Sequence, residues 1–137
     1  MVAALVQVCV DSRLNHELLR IQVRQKLERL RVAAERIYIL NDIGGNVGAN
    51  FRNTVHLLVR RQESIALCAV LHHDDCVAAQ EGLRTPLDAS AQEMAAYLTE
   101  QNIRCPVLTG TIRIEHNHLL WSDEPAPHYE PFSFHIH

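Results

Sequence analysis

Two short stretches of this chain concentrate side chains that can do chemistry: Cys9-Val10-Asp11-Ser12-Arg13 and His72-His73-Asp74-Asp75-Cys76. Two thiolates and an imidazole form a donor set that suits zinc. Three protein ligands leave a fourth position open for water, the arrangement of a catalytic rather than a structural metal. His73 and Cys76, three residues apart in a turn, can grip one ion from one side, and Cys9 can supply the third donor if the fold brings it near. His72 can equally be the donor, with His73 turned away. Each part also has a plainer reading. Cysteine is among the most buried residue types, so Cys9 can be a small core residue, and Asp11 or Ser12 can simply cap a following helix.

The positions of Cys9 and His73 differ by 64, so the elements between them must do the positioning. Residues 3–10 form a β-rich run. A long amphipathic helix is expected over 13–34, one face marked by Leu19, Val23, Leu27, Leu30 and Ala34, with Arg24 and Glu28 paired on the outside. A second strand follows at 36–41, then the turn Gly44-Gly45-Asn46-Val47-Gly48. A helix over 50–62 is expected to turn Phe51, Val55, Leu58 and Val59 inward. The run at 65–71 is apolar throughout, as befits a central parallel strand covered on both faces. His72 to about Glu81 reads as a polar turn opening a short helix, 88–102 as a helix, and 105–115 with 118–121 as a hairpin around Asn117. Strands alternating with helices specify an α/β fold: a parallel sheet of about four strands flanked by helices, with an antiparallel edge strand. Such sheets bind ligands at the carboxyl ends of the strands, where the winding reverses. The first and third strands are natural neighbours there, and their ends carry the two reactive stretches.

With 137 residues, 47% of them hydrophobic and 21% charged, the chain has the balance of one globular domain rather than of a disordered polymer. That domain is expected at 1–121, followed by an extended tail over 122–137 that contains Pro125, Pro127 and Pro131. A net charge of −3 offers no general capture of nucleic acid. The basic segment 13–36, with seven Lys or Arg against three Glu, reads as a solvated helix face, without rings among the charges on which bases could stack. No run approaches the ~20 apolar residues of a membrane span, and the apolar start, Val2 to Val10, lacks the basic flank of a secretion signal. A cytoplasmic location is therefore expected. There, cysteines serve as metal ligands or core residues rather than as disulfides. Cys68 and Cys105, in apolar strands, read as packing.

Cys9-x-Asp11-x-Arg13 followed by His73-x-x-Cys76 resembles the paired zinc signature of the β-class carbonic anhydrases. The likeness extends to Gly45-Asn46, similar to that family's glycine-asparagine turn after the second strand, to Asp75 just before the second cysteine, and to Val107–Ile114 with Leu119 and Leu120 near the end of the domain. It covers about residues 3–121. The family's usual helical arm before the first strand is not in this sequence, and the segment from Arg13 to Gly44 is longer than usual. The tail after Trp121, with Tyr129, Phe132 and Phe134, is a candidate replacement for that arm.

The resemblance implies one Zn2+ held by Cys9, His73 and Cys76, and reversible hydration of carbon dioxide to bicarbonate through a zinc-bound hydroxide, increasing on the alkaline side of neutral. It implies that Asp11 accepts a hydrogen bond from that hydroxide. Arg13 then keeps Asp11 ionised and away from the metal, and Asp11 becomes a fourth ligand if the pair breaks. The backbone of Gly44, Gly45 and Asn46 is expected to line the substrate cleft. A homodimer or higher even-numbered oligomer is expected, with no nucleic acid and no membrane as partner. Two alternatives accompany this reading: a non-catalytic relative that binds zinc or bicarbonate, and a hydrolase of another small linear molecule such as carbonyl sulfide or carbon disulfide.

Overall fold

In the computed structural model, which describes residues 1–125, the strand β1 (Val2–Cys9) is buried from Ala3 onward. A strand buried along almost its whole length, its one polar residue Gln7 included, requires cover on both faces and both edges. Parallel neighbours take the edges, β2 (Arg36–Asp42) on one side and β3 (Ser64–His73) on the other. Beyond β3 lie β4 (Val107–Arg113), also parallel, and β5 (His118–Trp121), antiparallel to β4. The order β2-β1-β3-β4-β5 is the expected sheet, four parallel strands with an antiparallel edge.

Four helices cover the faces. On one face, Leu19, Val23 and Leu27 of α1 (His16–Leu30) and Ala78 of α3 (Val77–Gln80) pack on Val6, Val8, Ala69 and Leu71. On the other, Phe51, Val55 and Leu58 of α2 (Ala49–Arg60) and Met94 and Leu98 of α4 (Leu87–Glu100) pack on Leu5, Cys68 and Val70. Burying a side chain of this size contributes roughly 1.5–3 kcal/mol, so the two helix layers and the sheet hold one another. Among the described residues no helix is long and apolar enough to cross a membrane.

The boundaries of α1 differ from the sequence expectation, and the caps explain why. Asn15, not Asp11 or Ser12, is the N-cap, accepting a hydrogen bond from the Leu18 N–H at 3.1 Å. At the other end Arg31 adopts a left-handed conformation (φ 57°), and the Val32 N–H turns back to the Leu27 carbonyl at 2.9 Å. Leu30 therefore sits in a terminal turn and is 41% exposed, and Val59, one position off the buried face of α2, is 44% exposed; both were expected inside. Arg24 donates to the Ala34 carbonyl instead of pairing with Glu28.

Helix α1 is not only a solvated basic face. Lys26 is 3% exposed. Its Nζ lies 5.6 Å from the centre of the Trp121 ring and reaches the carboxylates of Asp123 (2.9 Å) and Glu124 (2.6 Å), and Arg29 joins Glu124 at 2.8 Å. Burial of an ammonium is tolerable only with such partners. Ser122 to Glu124 thus form a turn fastened to α1. The path expected for the rest of the tail, with Tyr129, Phe132 and Phe134, lies outside the described residues.

Candidate metal centre

Three ligand atoms, one each from Cys9, His73 and Cys76, lie within 4.8 Å of one another, and all three residues are buried. Cys9 is the last residue of β1 and His73 the last of β3, on adjacent parallel strands that end at the same edge of the sheet. The sheet register thus brings together residues far apart in the chain. The β3–β4 ladder continues through His72 opposite Thr111 and His73 opposite Ile112, so both histidines belong to the strand and the turn begins at Asp74. Strand alternation then separates them, since successive side chains leave opposite faces. His72 is not among the clustered donors. Its burial, then the nearby Arg84 and His73, push its pKa down to about 4, so it is neutral at physiological pH.

The tautomer of His73 follows from a single contact. Its Nδ1 is 2.6 Å from the Asp74 carbonyl oxygen, which can only accept, so Nδ1 carries the proton. Nε2 is left with its lone pair, buried, and without a hydrogen-bond partner among the described residues. A backbone carbonyl that fixes one ring nitrogen and leaves the other free is how metal-ligating histidines are oriented. A buried nitrogen without a partner is costly unless a ligand satisfies it. The donor set and the orphaned nitrogen therefore fit zinc.

The turn that delivers Cys76 is held at three points. Asp75 adopts a left-handed conformation (φ 52°), reversing the chain between His73 and Cys76. Asp74 ties the turn to the end of β4: its N–H donates to the Ile112 carbonyl (3.1 Å), and its Oδ1 accepts from the Ile114 N–H (2.8 Å). The third hold comes from Arg13, whose Nη1 donates to Asp75 Oδ2 at 2.7 Å and Nη2 to the Asp75 carbonyl at 2.8 Å.

The same guanidinium grips Asp11. Nε donates to Oδ1 at 3.0 Å and Nη2 to Oδ2 at 2.6 Å, while the Arg13 N–H adds a bond to Oδ1 at 2.9 Å. The guanidinium hydrogen bonds, partly opposed by burial and aided by the backbone bond, hold the Asp11 carboxyl down to about 2. Asp11 is thus ionised, its Oδ2 lying 3.8 Å from His73 Nε2. The loop carrying both residues is pinned by Asn117, which donates from Nδ2 to the Arg13 carbonyl (3.1 Å) and accepts at Oδ1 from the Asn15 N–H (2.7 Å).

Gly44, Gly45 and Asn46 stand next to the centre, where they pack and clamp. Gly45 has φ 71°, and a Cβ there would meet the Leu71 carbonyl oxygen at 3.1 Å and the Cys9 nitrogen at 3.4 Å. Only glycine packs this closely on the ends of β1 and β3 in that conformation. Asn46 clamps the segment after α3, donating from Nδ2 to the Leu83 carbonyl (2.7 Å) and accepting at Oδ1 from the Thr85 N–H (2.8 Å). The groove beside Cys9, of about 400 Å³, is lined by Val10, Asp11, Ser12, Ile43, Val77, Ala78, Glu81 and Leu83. Sequence reasoning missed Asp74 as the partner of His73 and Asn117 as the anchor of the Asp11 loop. The left-handed turn at Asn117 was readable as a hairpin, but its long-range partners were not.

The chain has the fold of the β-carbonic anhydrases. It superposes on a carbonic anhydrase from Streptococcus mutans with a TM-score of 0.54 at 20% identity, over 88% of this chain and 81% of that one. Similar matches are the β-carbonic anhydrase of the fungal pathogen Aspergillus fumigatus (0.50, 11% identity, 90% and 76%) and a tetrameric β-carbonic anhydrase from the filamentous ascomycete Sordaria macrospora (0.50, 11%, 90% and 82%). No protein-family model and no curated protein matches the sequence.

Proposed function

We propose that this protein catalyses the reversible hydration of carbon dioxide to bicarbonate with a zinc ion held by Cys9, His73 and Cys76. The observation that carries the reading is the unpartnered, buried Nε2 of His73, oriented by the Asp74 carbonyl and grouped with two cysteine sulfurs beside an ionised Asp11. Zinc in that position supplies what no side chain here does, acidification of a water so that hydroxide is available near neutral pH. Asp11, ionised and with Oδ2 3.8 Å from His73 Nε2, would accept a hydrogen bond from a hydroxyl held at the centre and so orient it toward the substrate carbon. Arg13 keeps the Asp11 carboxylate ionised and turned to itself. The apolar groove wall of Val10, Ile43, Val77 and Leu83 suits a small, uncharged, linear molecule. Two thiolates offset the formal charge of the metal, so the rate rises toward alkaline pH.

The grip of Arg13 on both Asp11 oxygens supports catalysis over the non-catalytic alternative, in which Asp11 closes the site. The exposed side chains of Val10, Ile43, Val77 and Leu83 support a second copy over the groove mouth, hence a homodimer or larger even-numbered assembly, and the Sordaria protein is itself tetrameric. A cytoplasmic location remains part of the proposal. Stopped-flow assay of the zinc-loaded protein tests the catalytic reading: CO2 hydration rises between about pH 7 and 9. A zinc-replete protein with no rate above buffer over that range refutes the catalytic reading and leaves a binding module. Turnover of carbonyl sulfide or carbon disulfide without CO2 hydration moves the reading to hydrolysis.

A further inference from the structure

A second sulfur pair lies elsewhere in the sheet. Cys68, in the middle of β3, is fully buried, and Cys105, in the segment before β4, is half-buried. Their sulfur atoms are 3.9 Å apart. The backbone already joins the two segments, for the Cys68 N–H donates to the carbonyl of Pro106 at 3.0 Å and Cys68 pairs with Val107 in the ladder. A disulfide needs a sulfur separation of about 2.05 Å. The sulfurs must therefore close by about 2 Å, an approach that side-chain rotation has to supply with the main chains already held side by side.

We propose that Cys68 and Cys105 are a peroxide-oxidisable thiol pair that closes into an inter-strand disulfide. The two residues have unequal roles. The contact with Cys105 and its own burial raise the Cys68 thiol, and the same contact lowers that of Cys105. Cys105 is also the partner that solvent reaches, so it is the attacking thiolate. Its sulfur takes the terminal oxygen of hydrogen peroxide, the O–O bond breaks, and a sulfenic acid and water result. Cys68 then attacks that sulfur, the S–O bond breaks, a second water leaves carrying the Cys68 proton, and the S–S bond forms. Two thiols and one peroxide give one disulfide and two waters. The closed ring spans residues 68–105, which include His73, Cys76, α3 and α4. Cross-linking a loop of this length raises the unfolding temperature by roughly 10 °C. The inference stands apart from the zinc reading, since neither cysteine belongs to the metal cluster.

The test uses the full chain incubated with zinc and then with hydrogen peroxide, mapped by trypsin without reduction. Cleavage after Arg61, Arg84, Arg104 and Arg113 places Cys105 in peptide 105–113 and Cys68, together with Cys76, in peptide 62–84. The expected result is a joined pair of these peptides, two mass units lighter than their sum, with fragmentation placing the bond at Cys68, and an unfolding temperature that rises and returns on reduction. Cys105→Ser, at a half-exposed position, abolishes the joined peptide and the temperature shift, and Cys68→Ala leaves Cys105 arrested as a sulfenic or higher acid. A bond located at Cys76, or a Cys105 that oxidises in the unmodified chain without cross-linking, overturns the proposal. So does a pair that stays reduced while a surface thiol peptide added to the same solution is oxidised.

Discussion

Replacing Arg13 by methionine separates two effects that one guanidinium now combines. In the native arrangement its side chain makes three bonds to the Asp11 carboxylate, Nε being shared between the two oxygens, and two to Asp75, one to the side chain and one to the carbonyl. Methionine removes all five and leaves the backbone N–H on Asp11 Oδ1. The largest influence lowering Asp11 disappears, while burial, which raises it, stays. The Asp11 carboxyl should therefore titrate at roughly 4 rather than about 2. The sign follows from linkage. A carboxyl depressed below its ordinary value stabilises the fold above about pH 4, and that contribution is lost as the pH falls through about 2. The stability gap between native protein and variant is thus widest above pH 4 and closes on acidification. The turn carrying Cys76 loses one of its three holds, and loss of a residue that orients a metal ligand typically weakens metal binding 10–100-fold. Lysine at position 13 restores part of the effect on Asp11 but not the two-sided grip, because one ammonium cannot serve both partners in fork geometry. Carbon NMR of the Asp11 carboxyl across pH reads the first effect, and zinc competition against a chelator at pH 7 reads the second. An Asp11 that still titrates near 2 in the methionine variant, or an unchanged zinc affinity, refutes the reasoning.

Cys76→Ser should lose zinc and part of its thermal stability, because metal binding and folding are linked, whereas His72→Ala should keep stoichiometric zinc; metal analysis of the two proteins checks the choice of histidine. Gly45→Ala forces a side chain into a left-handed conformation against the Leu71 carbonyl, which should cost about 1–3 kcal/mol and be seen as a fall of roughly 3–10 °C in unfolding temperature. Asn46→Ala removes both clamps on the segment of Leu83 and Thr85; proteolysis there should accelerate while the sheet, followed by circular dichroism, keeps its signal.

The sheet was legible because its evidence is local. The apolar run at 65–71 read as a central parallel strand and the β-rich run at 3–10 as its neighbour, and their adjacency placed Cys9 and His73 on one edge, where the structure has them. Three features were not legible, each for a reason of distance. The end of β3 was set two residues early, since His72 and His73 look polar in isolation but are paired across to Thr111 and Ile112. Lys26 looked like a surface charge because its partners, Asp123 and Glu124, lie almost a hundred residues away. The glycine turn was read for its backbone along the cleft, and neither the close packing of Gly45 on Cys9 and Leu71 nor the side-chain clamp of Asn46 could be seen from the sequence. Composition and periodicity reveal what a residue avoids, water or a bulky neighbour; they do not reveal which distant group satisfies it.

That distinction bears on how the metal cluster is built. None of the three ligands is positioned by its own neighbours in sequence alone. Cys9 and His73 are set by the register of two parallel strands, and Cys76 by a turn held from β4 through Asp74 and from the first loop through Arg13. The first loop is in turn held from the hairpin through Asn117. Apart from the Asp74 carbonyl that orients the His73 ring, the supports of the centre cross between elements that meet only in the folded chain, so the ligands come together only on folding, and zinc affinity reports the integrity of the whole sheet edge. An unpaired imidazole nitrogen and two buried thiols cost stability without the ion. The network that keeps them clustered consists of charge-assisted and backbone hydrogen bonds of 2.6–3.1 Å, which oppose that cost.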